Sequence, residues 1–271
     1  MKSSWFLVSV IAVLFLVAGC TNKEKEKQDV DINNADIVFG KWDLDYQGAV
    51  GDTYPINLIF ISTISDGLEV DSIKFSNDSN LKVDSIDLKQ GDLMDDGRTL
   101  YNLTLNTTAV ESGEYSTRKI DVSFKNGISK SYEIGNLHWD ISKSKSSEEL
   151  APDKGYVVMY PNMEKYTIDL VNNSDYDMKI KGISTDNQNL KLADILVNGE
   201  DISESAHISP GQHAEIHAKI TTDDQQYQFY SISPKVMYTM NNEAKESVLP
   251  SSIYGLMSIT SDTVKKMIEP K

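Results

Sequence analysis

Apolar side chains recur at every second position through most of the chain from about Ile37 onward. A period of two is typical of β-strands that bury one face and expose the other. The clearest alternating runs are Tyr54/Ile56/Leu58/Phe60, Tyr101/Leu103/Leu105, Ile120/Val122/Phe124 and Leu137/Trp139/Ile141. Turn-forming pairs separate them, namely Asp66-Gly67, Asp96-Gly97 and Asn126-Gly127. The pattern predicts an all-β protein.

The second half of the chain repeats short segments of the first half in the same order. The matched segments are Tyr54–Leu58 with Tyr166–Leu170, Asn80–Val83 with Asn189–Leu192, Thr107-Thr108 with Thr221-Thr222, Tyr115 with Tyr227, and Val122–Phe124 with Val236–Tyr238. Their offsets are 112, 109, 114, 112 and 114 residues. Near-constant spacing is what a tandem duplication leaves. Chance similarity between two all-β segments is the alternative.

A polar segment that contains Pro152 interrupts the alternation between the two halves and serves as the predicted boundary. The predicted divisions are a signal peptide over 1–19, a lipidated Cys20 with a flexible tether over 20–35, a first domain over 36–143, a linker over 144–155, a second domain over 156–258, and a C-terminal tail over 259–271. Within the tail, Ser261 is the predicted cap of one or two helical turns.

The first twenty residues have the three parts of a secretory signal. Lys2 is followed by an apolar run from Trp5 to Val17, which is too short for a typical membrane-spanning helix. The run ends in Val17-Ala18-Gly19-Cys20, which resembles the lipobox of bacterial lipoproteins. This resemblance implies a diacylglycerol on the Cys20 sulfur and an anchor on the extracytoplasmic face of the cell membrane. Two acyl chains bury enough methylenes, at about 0.8 kcal/mol each, for stable anchoring. An ordinary signal with a chance cysteine, or an uncleaved anchor, is the alternative.

The second half also resembles the immunoglobulin-like (Ig-like) modules of bacterial surface proteins. The residues that carry this resemblance are the run Tyr166–Asp175 and the Ile208–Gln212 turn before the alternating strand from Ala214 to Ile220. With about a hundred residues and several short strands in each half, the expected fold is two tandem antiparallel Ig-like β-sandwich domains. The resemblance implies adhesion, spacing or ligand presentation, and it brings no catalytic residues.

The charge balance narrows the choice of partner. The chain has 26 basic and 41 acidic residues, a formal net charge of −15, and loss of Lys2 with the signal peptide would make it −16. A field of that sign repels phosphate backbones, so we expect no nucleic-acid partner. No Gly-rich phosphate loop is present, so we expect no nucleotide. Cys20 is the sole cysteine, which excludes an intramolecular disulfide.

Two histidines with a glutamate between them form the best candidate metal site in the sequence. On a helix, the segment His213-Ala-Glu215-Ile-His217 would invite comparison with zinc proteases, but Glu215 stands one position too late for that motif. The alternating apolar residues predict a strand, on which the two histidines are roughly 13 Å apart. We therefore predict a solvated strand face and no metal. A site of two of these ligands, completed from elsewhere, is the alternative.

An acidic turn offers a second possible ion site. The segment from Asp92 to Gly97 slightly resembles a calcium loop, but Met94 and Leu103 stand where oxygen ligands are needed. We interpret it as an acidic hairpin turn, with a weak calcium site as the alternative.

The sequence offers little for catalysis, and its exposed aromatic residues are a possible binding face. No serine lies in a Gly-x-Ser-x-Gly elbow. In His138-Trp139-Asp140, Trp139 is predicted to point inward and the polar pair outward. The aromatic residues Tyr227, Phe229 and Tyr230, with Tyr156 and Tyr160, suggest either a sugar- or peptide-binding face or ordinary strand packing; they are the remaining lead.

These observations predict a non-enzymatic lipoprotein, held on the membrane by Cys20, that binds another envelope protein or acts as a spacer. No catalytic residue, metal or cofactor is predicted. The alternative is a solute-, sugar- or metal-binding lipoprotein that serves an importer.

Overall fold

The computed structural model describes residues 32–76, 80–144, 149–153, 159–160, 163–202, 206–222, 226–256 and 259–269. In these ranges the chain forms strands and one short helix, which confirms the predicted all-β class. The predicted signal peptide, Cys20 and most of the predicted tether lie outside the described residues.

The first half forms eight strands, which we call the first unit together with the turn at Ile32. They are β1 (Ile37–Phe39), β2 (Trp42–Ala49), β3 (Thr53–Ser62), β4 (Val70–Phe75), β5 (Leu81–Leu93), β6 (Thr99–Ala109), β7 (Gly113–Phe124) and β8 (Ser129–Ser142). The sheet β1-β3-β6-β5 packs on a sheet that contains β2-β8-β7-β4, with one hydrophobic core between them. These orders correspond to the A-B-E-D and G-F-C sheets of an Ig domain, with β2 added at the G edge.

The second half, which we call the second unit, follows the same plan. Its strands are β9 (Leu150–Pro152), β10 (Met159–Tyr160), β11 (Lys165–Asn172), β12 (Met178–Ser184), β13 (Leu190–Val197), β14 (Glu200–Asp201), β15 (His207–Ile208), β16 (His213–Thr222), β17 (Phe229–Ile232), β18 (Lys235–Met240), β19 (Glu243–Val248) and β20 (Ser252–Tyr254). The sheet β9-β11-β16-β13-β14 packs on β15-β12-β18-β19 around a second core. Both units therefore have Ig-like strand order.

Most of the segments matched in the sequence lie on equivalent strands of the two units. Tyr54 and Tyr166 are in β3 and β11, which hold the same place in the two sheet orders. The pairs on β5 and β13, on β6 and β16, and on β7 and β18 also correspond. Tyr227 departs from the pattern, because it precedes β17 whereas its match Tyr115 is inside β7.

Three strands of the second unit extend a sheet of the first. The full order of that sheet is β10-β20-β17-β2-β8-β7-β4, and its pairs β10–β20, β17–β2 and β2–β8 are parallel. The sequence pattern did not predict these parallel pairs. Phe229 and Ile253 reach into the first core, whereas Tyr230, Ile232 and Tyr254 pack in the second. The strands β17 and β20 therefore contribute side chains to both cores.

The segments at the predicted boundaries also contribute to the fold. Strand β9, inside the predicted linker, pairs with β11. Ile32, inside the predicted tether, is 2% exposed and packs in the first core. The C-terminal tail forms α1 (Ser261–Ile268), whose Val264 and Met267 pack against Ile61. Its N-cap is Thr260 rather than the predicted Ser261, because the Thr260 hydroxyl accepts the backbone N–H of Thr263.

Candidate functional site

Strand β2 has two different faces, and both are buried. Trp42 and Leu44 point into the first core, so the alternation of a strand sends Asp43, Asp45 and Gln47 to the opposite face. That face is covered by the second unit, which leaves Asp43 and Asp45 only 1% and 2% exposed. The covering segment runs from Thr185 to Asn189, between β12 and β13.

Neutral side chains donate hydrogen bonds to both carboxylate oxygens of Asp43. Its Oδ2 accepts a hydrogen bond of 3.0 Å from Asn189 Nδ2 of the second unit, and its Oδ1 accepts one of 3.3 Å from Asn136 Nδ2 of β8. No cation is among these contacts. The carboxylate is thus shared between the two units through amide groups alone.

Asp45 is less well satisfied. Its Oδ2 accepts a long bond of 3.5 Å from Thr185 Oγ1, and its Oδ1 is buried with no hydrogen-bond partner. Burial raises the pKa of this carboxyl to about 6; His138 and Lys235 lower it, while Asp186 and Asp43 raise it. A buried carboxylate with an unpaired oxygen is unusual, because native structures leave few such atoms unsatisfied.

Asp186 differs from the other two because it has a countercharge. Its Oδ2 accepts hydrogen bonds of 2.5 Å from Lys235 Nζ and 2.8 Å from Gln47 Nε2. We call Asp43, Asp45 and Asp186 the acidic cluster. Asp186 thus has a lysine as a hydrogen-bond partner, whereas the hydrogen-bond partners of Asp43 and Asp45 are neutral side chains.

A polar cavity of about 430 Å³ opens beside the acidic cluster. Its walls come from both units and include Asn136, His138, Asn187 and Asn189 as well as the three carboxylates. Arg118 also lines the cavity and brings a positive charge, but most of the polar groups there are carboxylates and amides. Such a donor set is suited to a hard cation or to a polar molecule.

A second cavity, of about 740 Å³, lies along the junction near the end of β2. Tyr46 and Tyr54 line it with ring centroids 4.0 Å apart, together with Pro55, Pro152 and Leu249. The Tyr54 hydroxyl forms a buried hydrogen bond of 2.8 Å with Ser231 Oγ, so this ring belongs to the junction as well as to the cavity wall.

The histidine face lies where the sequence predicted it, on strand β16. His217 Nε2 is 3.0 Å from Glu215 Oε1, and His213 Nδ1 is 3.3 Å from Asp153. Glu215 and His213 are exposed. Across the part of the chain that the structure describes, no three His, Cys, Asp or Glu residues are grouped to hold a metal ion.

The other predicted residues lie as follows. The turn Asp95–Gly97 joins β5 and β6, and Asp92 and Asp95 are exposed. Trp139 points into the first core, while His138 lines the polar cavity and Asp140 lines the second cavity. Cys20 and Tyr156 lie outside the described residues. None of the described helices is long and apolar enough to span a membrane.

The hypothesis of an exposed aromatic face is wrong for most of its members. Phe229 is fully buried, and Tyr230 and Tyr160 are 6% and 8% exposed. Tyr160 stacks on Tyr254 with centroids 5.2 Å apart. Tyr227 lines the polar cavity. Strand packing, the interpretation that the sequence favoured, accounts for Phe229, Tyr230 and Tyr160, which are buried in the two cores.

Asp43, Asp45 and Gln47 are not among the residues that the sequence singles out. The sequence does contain a pattern that marks them, because these three polar residues alternate with Trp42, Leu44 and Tyr46. Such alternation ordinarily marks a face in water. Only the docking of the second unit turns that face into a site.

Comparison with known proteins yields no family. No family model and no curated protein matches the chain. Similar solved structures include the Vibrio cholerae VesB protease, at 11% identity and a TM-score of 0.30 over 62% of this chain and 61% of that one. This chain thus spans about three fifths of the protease.

Two other similar structures are matched over nearly their whole length. A Porphyromonas gingivalis W83 protein of unknown function is 12% identical over 82% of this chain and 99% of that one, with a TM-score of 0.24. The C-terminal domain of the Streptococcus agalactiae AgI/II polypeptide BspA is 7% identical over 80% and 96%, with a TM-score of 0.23. Likenesses this weak identify neither a family nor an activity.

Proposed function

We propose that this chain is a lipoprotein on the extracytoplasmic face of the cell membrane, anchored through Cys20, that acts without catalysis as a spacer or protein-binding module. The observation that carries the proposal is the continuous sheet β10-β20-β17-β2-β8-β7-β4, which runs through both units. A body joined in this way holds its outer end at a fixed distance and orientation from its anchored end. That property suits the presentation of a binding surface above a membrane.

The contacts at the junction support a rigid body. Backbone pairing joins β17 to β2, and the ring of Phe229 lies 5.2 Å from that of Trp42 inside the first core. Lys41 and Gln228 exchange two further hydrogen bonds, of 2.8 and 2.9 Å. Domains move relative to each other by default unless their interface is extensive and hydrophobic. This interface has both backbone pairing and buried aromatic rings.

The distance between anchor and body has an upper limit. Cys20 and Ile32 are twelve residues apart, and Ile32 is already part of the first core. A fully extended chain spans at most about 3.6 Å per residue, so the body stands within roughly 40 Å of the anchor. The proposed module therefore acts close to the membrane surface.

The anchor is tested by labelling cells with a palmitate analogue and fractionating their membranes. We expect label and membrane association in the natural chain and loss of both in Cys20→Ala. Because Cys20 is the sole cysteine, the variant removes the one sulfur that can carry the diacylglycerol through a thioether bond. An unlabelled natural chain, or a Cys20→Ala variant that keeps its label, would overturn the lipoprotein proposal.

The binding role is tested by photo-crosslinking in intact cells. A crosslinking amino acid replaces the exposed Tyr176 of the second unit, and in a parallel strain it replaces the exposed Leu93 of the first. We expect a discrete adduct with an envelope protein from the second unit, which is farther along the chain from Cys20, and a weaker one from the first unit. Absence of adducts at both positions would contradict the binding role and leave the spacer role.

A further inference from the structure

We propose that the acidic cluster binds one divalent cation, Ca²⁺ in preference to transition-metal ions, with the carboxylates of Asp43 and Asp45 as its anchoring ligands. Bound there, the ion would join the two units, because Asp43 and Asp45 belong to the first and Thr185 and Asn189 to the second. The inference is independent of the lipid anchor and of any protein partner.

The first argument is that Asp43 and Asp45 form no direct ion pair, although His138 and Lys235 lie near enough to Asp45 to lower its pKa. Asp43 and Asp45 are almost fully buried, and the ion pairs recorded among the described residues include neither of them. Their hydrogen-bond partners are the neutral side chains of Asn136, Asn189 and Thr185. Buried carboxylates are ordinarily paired or bound to a metal, because an isolated buried charge is very unfavourable.

The second argument is the unpaired oxygen of Asp45. Asp45 is only 2% exposed, yet its Oδ1 accepts no hydrogen bond. The residue also lines the polar cavity. This observation is independent of the clustering of acids. It leaves one carboxylate oxygen that a ligand in the cavity can engage without displacing a hydrogen bond. The cavity of about 430 Å³ has room for an ion and its remaining water ligands.

The third argument is the identity of the donors. Ca²⁺ takes six to eight oxygen ligands from carboxylates, amides, carbonyls and water. Asn136 and Asn189 now donate N–H groups to Asp43, but rotation of an amide by 180° exchanges its nitrogen and oxygen. The same side chains can therefore offer oxygens to an ion beside Asp43. His138 is the one imidazole among the described lining residues of this cavity, which disfavours a nitrogen-preferring metal.

The donor set also explains why the site does not form a cluster of three acids. Asp186 is bound to Lys235 and Gln47, so it is not free to join the other two carboxylates. A cation here would have two carboxylates and then amide, hydroxyl and water oxygens. Two carboxylates are few for a calcium site, so we expect modest affinity, with a dissociation constant of about 10⁻⁴–10⁻³ M, as in extracellular calcium modules.

The experiment measures thermal unfolding and calorimetric binding of the full chain in detergent, at pH 7.5, after removal of metals with EDTA. CaCl₂ is then added up to about 10 mM, a concentration that saturates sites of this class. We expect one ion per chain and a rise in Tm of several degrees, because a ligand that binds only the folded state stabilises it. MgCl₂, ZnCl₂ and NaCl of equal ionic strength are expected to give smaller rises.

The variants assign the ion to the site. Asp45→Asn is close in shape and removes a buried charge, so we expect it to fold, and both it and Asp43→Asn should lose most of the calcium-dependent rise. Asp95→Asn is the matched control and should keep the calcium-dependent rise in Tm. Asp95 lies in the exposed turn that the sequence suggested as a weak calcium site. Asn189→Asp adds a carboxylate and should strengthen the response to calcium.

Three outcomes would overturn the proposal. One is the absence of both calorimetric binding and a calcium-dependent rise in the natural chain, which would mean that a proton or Arg118, another lining residue, compensates the carboxylates. Another is a rise that Asp45→Asn and Asp43→Asn retain, since the ion would then bind elsewhere. The last is an equal rise with NaCl, which would indicate screening of the acidic surface.

Discussion

Gly135 shows how a single residue allows two strands to approach. It lies within β8 with a φ of +104°, and it is paired with Trp42 across the parallel β2–β8 ladder. A Cβ atom at this position would overlap the backbone of Trp42. Only glycine avoids both the left-handed strain and this overlap. The register of the strand that carries Asp43 and Asp45 thus depends on the absence of a side chain in its neighbour.

Gly135→Ala should therefore lower the free energy of unfolding by more than the positive φ alone would, because the added Cβ also overlaps the backbone of Trp42. Gly97 is the matched control, because its φ of +82° is also positive but its Cβ would meet nothing within 4 Å. We expect Gly97→Ala to cost about 1–2 kcal/mol from the left-handed conformation alone. Gly135→Ala should cost roughly 2 kcal/mol more, as overpacking does.

The measurement is the free energy of unfolding of both variants from urea titrations. Equal losses in the two variants would show that the backbone angle alone matters at Gly135, and that the approach of β8 to Trp42 relaxes without cost.

Residue-level alternation predicted the cores well and the site poorly. Ile56, Leu58, Ile120 and Val122 are all buried as the period of two requires. Applied to β2, the same rule would assign its polar face to water. That assignment is correct for an isolated unit and fails here, because the second unit covers the face. A tertiary contact of this kind leaves no trace in the periodicity of one strand.

At the scale of the element, β17 is the strand that joins the units. All four of its residues are buried, since one face belongs to each core. Phe229 fits against Trp42 and lies so close to Gly40 that a Cβ there would overlap its ring. The second half of the chain thus supplies, through β17, an aromatic side chain of the first core.

Phe229→Ala should destabilise the first unit, although the residue lies in the second half of the sequence. Truncation of a buried phenylalanine costs about 3–5 kcal/mol, from lost burial and the cavity that remains. Tyr176→Ala is the control, because that side chain is 51% exposed and its loss should change stability by less than about 0.5 kcal/mol.

Hydrogen exchange monitored on β3 and β6, at the centre of the first unit, measures the effect. Faster exchange there in Phe229→Ala than in Tyr176→Ala is expected. Faster exchange confined to the second unit would contradict the assignment of Phe229 to the first core.

The sequence predicted the existence of most elements but not all of their partners. Alternation and turn signals located strands such as β3, β6 and β7, and spacing between the halves matched β3 with β11. Neither signal determines which strand lies beside which. The parallel pairing of β2 with β8 and β17 depends on long-range packing. Short strands such as β10 and β20 have two to three residues, too few to show a period.

On the scale of the whole molecule, the two units have separate cores but a shared sheet. In a chain of independent domains, few contacts cross the boundary and each domain unfolds alone. Here β17 and β20 complete the first core while they remain part of the second. Loss of either core would expose apolar surface of the other. The two units should therefore behave as a single cooperative body.

Scanning calorimetry of the full chain in detergent should accordingly show one unfolding transition, with the calorimetric enthalpy equal to the van't Hoff enthalpy. Two independent sandwiches would instead give two transitions, or one broad transition with a ratio well above one. Phe229→Ala provides the sharper test, because weakening the junction should lower the single Tm if coupling is strong, and should split the transition if coupling is weak. Two transitions in the natural chain would show that the shared sheet does not transmit stability, and would remove the physical basis for a rigid spacer.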